Sequence, residues 1–368
     1  MLADYGAADG RNALLPLGAA IKVIRRRTRH EHAVLVAHTD APHNDFTDLF
    51  STLADDPDSY LHTDSASFPA AIGRSFYGQI LPSKSVTLGW TSWATMWLSR
   101  AAAELPEIPD HVQIAYSADD TARAAYARQA AQDWHDFVAF RGRELCPGGR
   151  LTVLTMAVGA DGEFGYRPLF DAIAAALGDQ VRDGLLGAEE ARRMTIPIFA
   201  RSEKDFRAPF APTDRFEGCS IEQLEIFEAD DPFWADYAAD NDAAAFGARW
   251  AAFTRLSAFP ILAAALDGGP ADPRATSSPR TWRPASRRGW PANPSRCRSR
   301  WRWWCWSSAA ARPDPGYGSP AGTGSAADPR RSAARRAGGG AARAGDSAGP
   351  GGPAGAAGQC GGAELPDR

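Results

Sequence analysis

The 368 residues carry 40 Lys plus Arg against 44 Asp plus Glu, a formal net charge of −4, but the charge is unevenly spread. Residues 268–368 hold sixteen Arg and six acidic residues, with no Lys, Ile, Val, Met or Phe and a single Leu, Leu365; such a composition lacks the apolar surface to offset chain entropy. Residues 1–267 are left with 24 basic and 38 acidic residues, an acidic body that gives nucleic acid no electrostatic purchase.

Along the chain, Leu2 to Tyr5 reads as the end of a strand that runs into a Gly-bearing turn at Gly6 and Gly10. A helix follows with its apolar face at Leu14, Leu17, Ile21 and Ile24. Strand, acid, small-residue loop and helix make a nucleotide-type site, since glycine lets backbone approach a ligand and helix N–H groups face it. Taken alone, the glycine spacing describes a plain tight turn equally well. Residues 33–37 form a continuous apolar run, a buried parallel strand, which ends in His38-Thr39-Asp40. An acid at the end of a second strand can accept from both ribose hydroxyls, although a solvated turn carries the same residue. Asn44 and Asp45 are placed to cap a helix from Phe46.

Ser75-Phe76-Tyr77 is a loop tripeptide leading to Leu81-Pro82, followed by a short strand at 86–89. Trp90, Trp93 and Trp97, spaced three and four apart with Met96 beside them, predict one face of a helix. Core packing accounts for such a stripe; its place after a strand end, where ligands bind in open α/β sheets, favours a pocket wall. A Pro-broken linker spans 101–109. A long helix is expected over 126–145, stopped by Pro147-Gly148-Gly149, with a buried strand at 151–158. Further helices are expected at 169–186 and 246–266, and a strand at 220–227.

No apolar run approaches the length of a membrane span, and Met1 opens no signal peptide. Cys146 and Cys219, the two cysteines of the body, lie in no metal spacing. The body is therefore expected in a reducing, cytoplasmic setting.

SFYxxxLPSxSxxxxxSxxxxxWLS, from Ser75 to Ser99, resembles the S-adenosylmethionine-dependent carboxyl methyltransferases of the salicylate, benzoate and jasmonate type, the SABATH group. The similarity runs from Asp4 to about Leu266. It includes DxGxxxGxN from Asp4 to Asn12 and a variant of DLPxNDF from Asp40 to Phe46. The resemblance implies a Rossmann-like class I methyltransferase sheet, an α/β fold with an α-helical cap, followed by a disordered C-terminal tail. By position, the cofactor-binding core spans 1–160, the cap and remaining core 161–267, and the tail 268–368.

By the same match, Asp4, Gly6, Ala7 and Asn12 border the methionine part of S-adenosyl-L-methionine. Asp40 takes the ribose, Ala41 offers its backbone, and Ser75 and Phe76 hold the adenosine end. Trp93, Met96 and Trp97 form the substrate wall, bulkier and more apolar than the family's usual Tyr and His or Met. The family's metal-contact group falls on Arg192, Met194 and Thr195, which offer no oxygen cage, so no metal is expected.

The activity implied is methyl transfer to the carboxylate of a small aromatic or apolar acid, with no general base. N-methylation of a heterocycle, which the family also performs, would call for polar residues at that wall; a non-catalytic remnant is the other alternative. A homodimer is compatible with the resemblance, and neither nucleic acid nor membrane is an expected partner.

Two departures from the family bear on the ends. The family carries a closing Ser/Gln segment before the first motif, so a truncated start is expected. Beyond about residue 266 the resemblance stops. Shifting Trp301 to Trp306 by one base yields (Leu/Met/Val)-Ala-(Leu/Met/Val)-Val-Val-Leu, a buried strand of the kind on which the family ends. A frameshift between Leu266 and Trp282 accounts for this; an Arg/Trp tail that stacks on bases would make it a coincidence.

Overall fold

The computed structural model describes residues 1–229 and 231–276, and 300–308 as backbone. Seven strands form one sheet in the order β3-β2-β1-β4-β5-β7-β6. The first half alternates as the apolar pattern predicts: β1 (Leu2–Tyr5), α1 (Arg11–Arg25), β2 (Val34–Asp40), α2 (Phe46–Asp55), β3 (Ser67–Gly73) and β4 (Val86–Ser92). β1 pairs in parallel with β2 and β4, and β2 with β3. Leu14 and Leu17 of α1 and Leu49 and Leu53 of α2 bury against Leu2, Val34 and Val36 on one face. Trp134, Phe137 and Val138 of α3 (Asp120–Glu144) cover Ala3, Tyr5, Leu151 and Val153 on the other. Burial on both faces explains the unbroken apolar runs of the central strands.

β3 was not anticipated. Its sequence includes Pro69, and the strand is half-buried at the sheet edge, where a residue without an N–H is tolerated. The Trp stretch is corrected more sharply. Trp90 lies inside β4, and residues 93–98 form an irregular loop rather than a helix. Trp93 adopts φ +59°, a left-handed conformation that ends the strand, while its N–H still donates to Leu154 O at 3.0 Å.

β5 (Leu145–Met156) starts directly after α3. Pro147-Gly148-Gly149 therefore stops no helix: it forms an irregularity inside the β4–β5 ladder, where pairing jumps from Val86↔Leu145 to Leu88↔Arg150. α4 (Arg167–Arg182), α5 (Ala188–Arg193) and α6 (Glu203–Arg207) lead to β6 (Cys219–Glu228). α7 (Pro232–Asp240) follows. The helix expected over 246–266 is two, α8 (Ala243–Ser257) and α9 (Phe259–Ala263), broken before Pro260. α4, α8 and α9 enclose a separate apolar cluster that includes Phe164, Tyr166, Phe170, Trp250 and Leu262. This is the cap.

Two segments beyond residue 267 fold. α10 (Pro273–Thr276) packs near α5: Arg274 Nη1 donates to Glu190 Oε2 at 2.9 Å and Nη2 bonds Oε1. β7 (Arg300–Ser308) lies between β5 and β6, antiparallel to both. These are the described residues of the segment expected to be a disordered tail; the rest of that expectation lies outside the described residues. No helix among the described residues is long and apolar enough to cross a membrane.

Candidate functional site

The carboxyl ends of β1, β2 and β4 and the loops after them gather most of the residues singled out in the sequence. Gly6 follows β1 with φ +76°. A Cβ there would sit 2.3 Å from Ala94 Cβ and 3.3 Å from the Phe76 ring, so the loops after β1, β3 and β4 meet only because this residue has no side chain. Gly6 and Ala7 donate their N–H groups to Thr39 O at 2.8 and 3.0 Å. Ala7 is buried against α1 and presents backbone rather than side chain.

Asp40 ends β2. Its Oδ2 accepts from Ala8 N at 2.7 Å and Oδ1 from Ala41 N at 2.6 Å. Each carboxylate oxygen keeps a further lone pair, so both can still accept from a diol. Asn44 does not cap α2: its Nδ2 donates to Ala8 O at 3.0 Å and pins the first loop to the second. Asp45 does cap, accepting from Thr47 N and Asp48 N. Asn12 is exposed on the first turn of α1, and among the described residues no side-chain hydrogen bond draws it to the others.

Asp4 differs from Asp40. It is 2 % exposed, and its Oδ2 bonds His38 Nδ1 at 2.9 Å. Burial pushes its carboxyl above the usual range, opposed by the His38 hydrogen bond and charge.

The loop carrying Ser75 and Phe76 is held by charges that sequence reasoning missed. Arg141 and Glu144, fully buried, pair at 2.9 Å. Arg141 donates to Phe76 O at 2.6 Å and Gly78 O at 2.8 Å, while Glu144 accepts from Ile80 N, Leu81 N and Tyr5 Oη. Phe76 stands edge-on to Phe137 with ring centroids 5.8 Å apart, and the exposed Ser75 accepts weakly from Tyr77 N.

Two more buried charged residues, Arg201 and Asp133, serve the loop after β4. Arg201, which burial pushes toward a lower pKa, donates to Thr95 O at 2.6 Å and to Ala130 O; Asp133 accepts from Ser99 N and Oγ. Tyr77 Oη donates to Trp97 O, tying the two loops together. Both cations sit at positions that a periodicity reading treats as solvated, and no local pattern marks them.

The three residues expected to form a substrate wall part company. Trp93 is half-buried, its ring edge-on to Tyr166 and Phe253 of the cap at 6.3 Å each. Trp97 is half-buried and bridges to Ile198. Met96 is buried in the cap core, and its carbonyl accepts from Phe199 N. The contacts of Tyr166 and Phe253 with Trp93 had not been anticipated.

Residues 1–270 match the family model described as SAM dependent carboxyl methyltransferase. Salicylate carboxymethyltransferase of Clarkia breweri is 24 % identical over 250 residues, 66 % of each chain. A benzoic acid/salicylic acid carboxyl methyltransferase of Petunia hybrida is 28 % identical over 56 % of this chain and 60 % of its own. Methyltransferase LUC1 of Fusarium sp. is 30 % identical over 55 % of this chain and 52 % of its own. The chain thus spans about half to two thirds of the length of these curated relatives. Among solved structures, loganic acid methyltransferase with SAH superposes with a TM-score of 0.61 at 19 % identity, covering 84 % of both chains, a likeness of fold. The match over residues 1–270 establishes that this chain belongs to the SAM-dependent carboxyl methyltransferase family.

Proposed function

We propose that the protein transfers the methyl group of S-adenosylmethionine to the carboxylate of a small aromatic or apolar acid, yielding the methyl ester and S-adenosylhomocysteine. The observation that carries this reading is the continuity of residues 93–97. Ala94 closes on Gly6 of the strand-end loop, while the adjacent Trp93 turns its ring to Tyr166 and Phe253. A ligand at the strand ends and a flat acid under the cap would therefore share a boundary.

The residues at the strand ends fit a nucleoside with an amino-acid arm. Asp40 would accept from the ribose hydroxyls, Ala41 would offer backbone, and Phe76 with Ser75 would hold the adenine. Asp4, Gly6, Ala7 and Asn12 would border the methionine. The bound sulfonium supplies an electrophilic methyl carbon. An acceptor carboxylate is already ionised near neutral pH, so no side chain has to remove a proton. What the protein contributes is alignment and exclusion of water. Trp93, Met96 and Trp97, with Tyr166 and Phe253, supply the dry aromatic side.

The test is to incubate the purified chain with methyl-labelled S-adenosylmethionine and a panel of benzoate, salicylate, indole acids and ring-nitrogen heterocycles. Label should appear in base-labile esters of the acids and fall several-fold in Asp40→Ala at limiting cofactor. Label on heterocycle nitrogen alone would transfer the reading to N-methylation. Binding of S-adenosylhomocysteine without turnover of any acid would make the chain a non-catalytic remnant.

A further inference from the structure

Asp4 stands in a row across the sheet with His38 on one side and Trp90 on the other. His38 is fully buried and links two groups: Nδ1 meets Asp4 Oδ2 at 2.9 Å and Nε2 meets Tyr60 Oη at 3.0 Å. The His38 and Tyr60 rings lie nearly parallel, 10° apart. Burial, then the Asp4 charge, push the Tyr60 phenol up, so its proton stays on oxygen. A protonated phenol donates to Nε2; the imidazole hydrogen then lies on Nδ1 and is donated to the carboxylate, which only accepts. Every polar atom in the chain Tyr60–His38–Asp4 Oδ2 is thereby matched.

The second Asp4 oxygen is not. Among the described residues no hydrogen bond reaches Oδ1, and the indole N–H of Trp90 is buried without a partner. His38 is thus the side chain that fixes the rotation of a carboxylate whose neighbour on the other adjacent strand is Trp90. Asp40 adds a second negative charge nearby. Two carboxylates with one free oxygen at the mouth of the first loop suit a cation.

We propose that His38, backed by Tyr60, is a positioning residue: it turns Asp4 so that Oδ1 is kept for the ammonium of the cofactor's amino-acid arm. This rests on the reading that Asp4 borders that arm.

The experiment compares, by calorimetry, binding of S-adenosylhomocysteine with that of 5′-methylthioadenosine, which lacks the amino-acid arm. His38→Leu is expected to weaken S-adenosylhomocysteine about tenfold while leaving 5′-methylthioadenosine within about twofold, the size of one lost charge-assisted bond. His38→Asn, whose amide N–H can replace Nδ1, should recover most of the loss, and Tyr60→Phe should produce a smaller version of it. In turnover the cofactor KM should rise with kcat preserved.

Equal weakening of both ligands, or of neither, overturns the proposal, because a general structural lesion does not distinguish them. If His38→Leu fails to fold, the ratio in Tyr60→Phe decides. Asp4→Asn separates the two layers. If it leaves the ratio unchanged, the placement of Asp4 itself is wrong; if it shifts the ratio and His38→Leu does not, His38 has no positioning role.

Discussion

Around the strand-end loops, position is set by hydrogen bonds to buried charge. Arg141 and Glu144 fix residues 76–81, and Arg201 and Asp133 fix residues 95–99. Across Trp93, in the cap, rings meet edge to face: Tyr166 with Trp250 at 6.3 Å and Phe246 with Trp250 at 6.5 Å. Among the described residues no hydrogen bond reaches the buried indole N–H of Trp250. Directional bonds hold a geometry tightly and tolerate little change, whereas apolar packing accepts volume-conserving exchange. The side assigned to the shared cofactor is built the first way and the side assigned to the variable acid the second. Under the proposed assignment, substrate range could drift without disturbing the cofactor loops.

The hardest test of this contrast is Arg141→Ala. It strands the buried Glu144 and frees the 76–81 loop, and should cost about 3–5 kcal/mol, read as a fall in denaturant midpoint. A loss below about 1 kcal/mol would mean that packing holds the loop after all. Next comes Gly6→Ala, where left-handed φ and the approach of Ala94 together should cost about 1–3 kcal/mol. It should also weaken S-adenosylhomocysteine, because the loop must open. Asp40→Ala should weaken S-adenosylhomocysteine about tenfold, one or two charged hydrogen bonds, with little change in thermal midpoint.

The smallest effect lies in the cap. Arg274, through its hydrogen bonds, lowers the Glu190 carboxyl to about 2. A depressed folded-state pKa stabilises above the unfolded value near 4.5 and loses that contribution as pH falls through about 2. Glu190→Gln should therefore cost about 1 kcal/mol at pH 7, a modest figure because Arg274 is more than a third exposed. The gap to the parent protein should close as the pH is lowered toward 2. A constant gap would assign the effect to packing instead.

The sequence was legible where one period governed a segment. Leu14, Leu17 and Ile21 mark α1, and the apolar run into Asp40 marks β2, because burial on one or both faces writes itself into residue type. It misled at Trp90, Trp93 and Trp97, where helical spacing arose from a strand residue followed by a loop that a left-handed Trp93 redirects. The strand-end positions of Asp4 and Asp40 could be placed from the motif. Arg141 and Arg201 could not, since a buried cation is distinguished from a solvated one only by the carbonyls that reach it, and those come from residues 63 to 106 positions away. β7 was hidden by composition: among nine residues of Arg, Trp, Cys and Ser the alternation lasts only from Arg300 to Trp303.

The placement of β7 has a consequence for synthesis. Among the described residues β6 pairs with the sheet through β7 alone, so when β6 leaves the ribosome that partner has not yet been made. Residues 229–299 must come first, which at roughly 5–20 residues per second takes on the order of several seconds. During that interval β5 presents an open edge and β6 is an unpaired strand, the kind of surface that invites pairing with other chains. Nascent chains should therefore be most prone to aggregate between completion of β6 and emergence of β7, and a chaperone that shields the β5 edge during that window should raise the soluble yield more than one added after release.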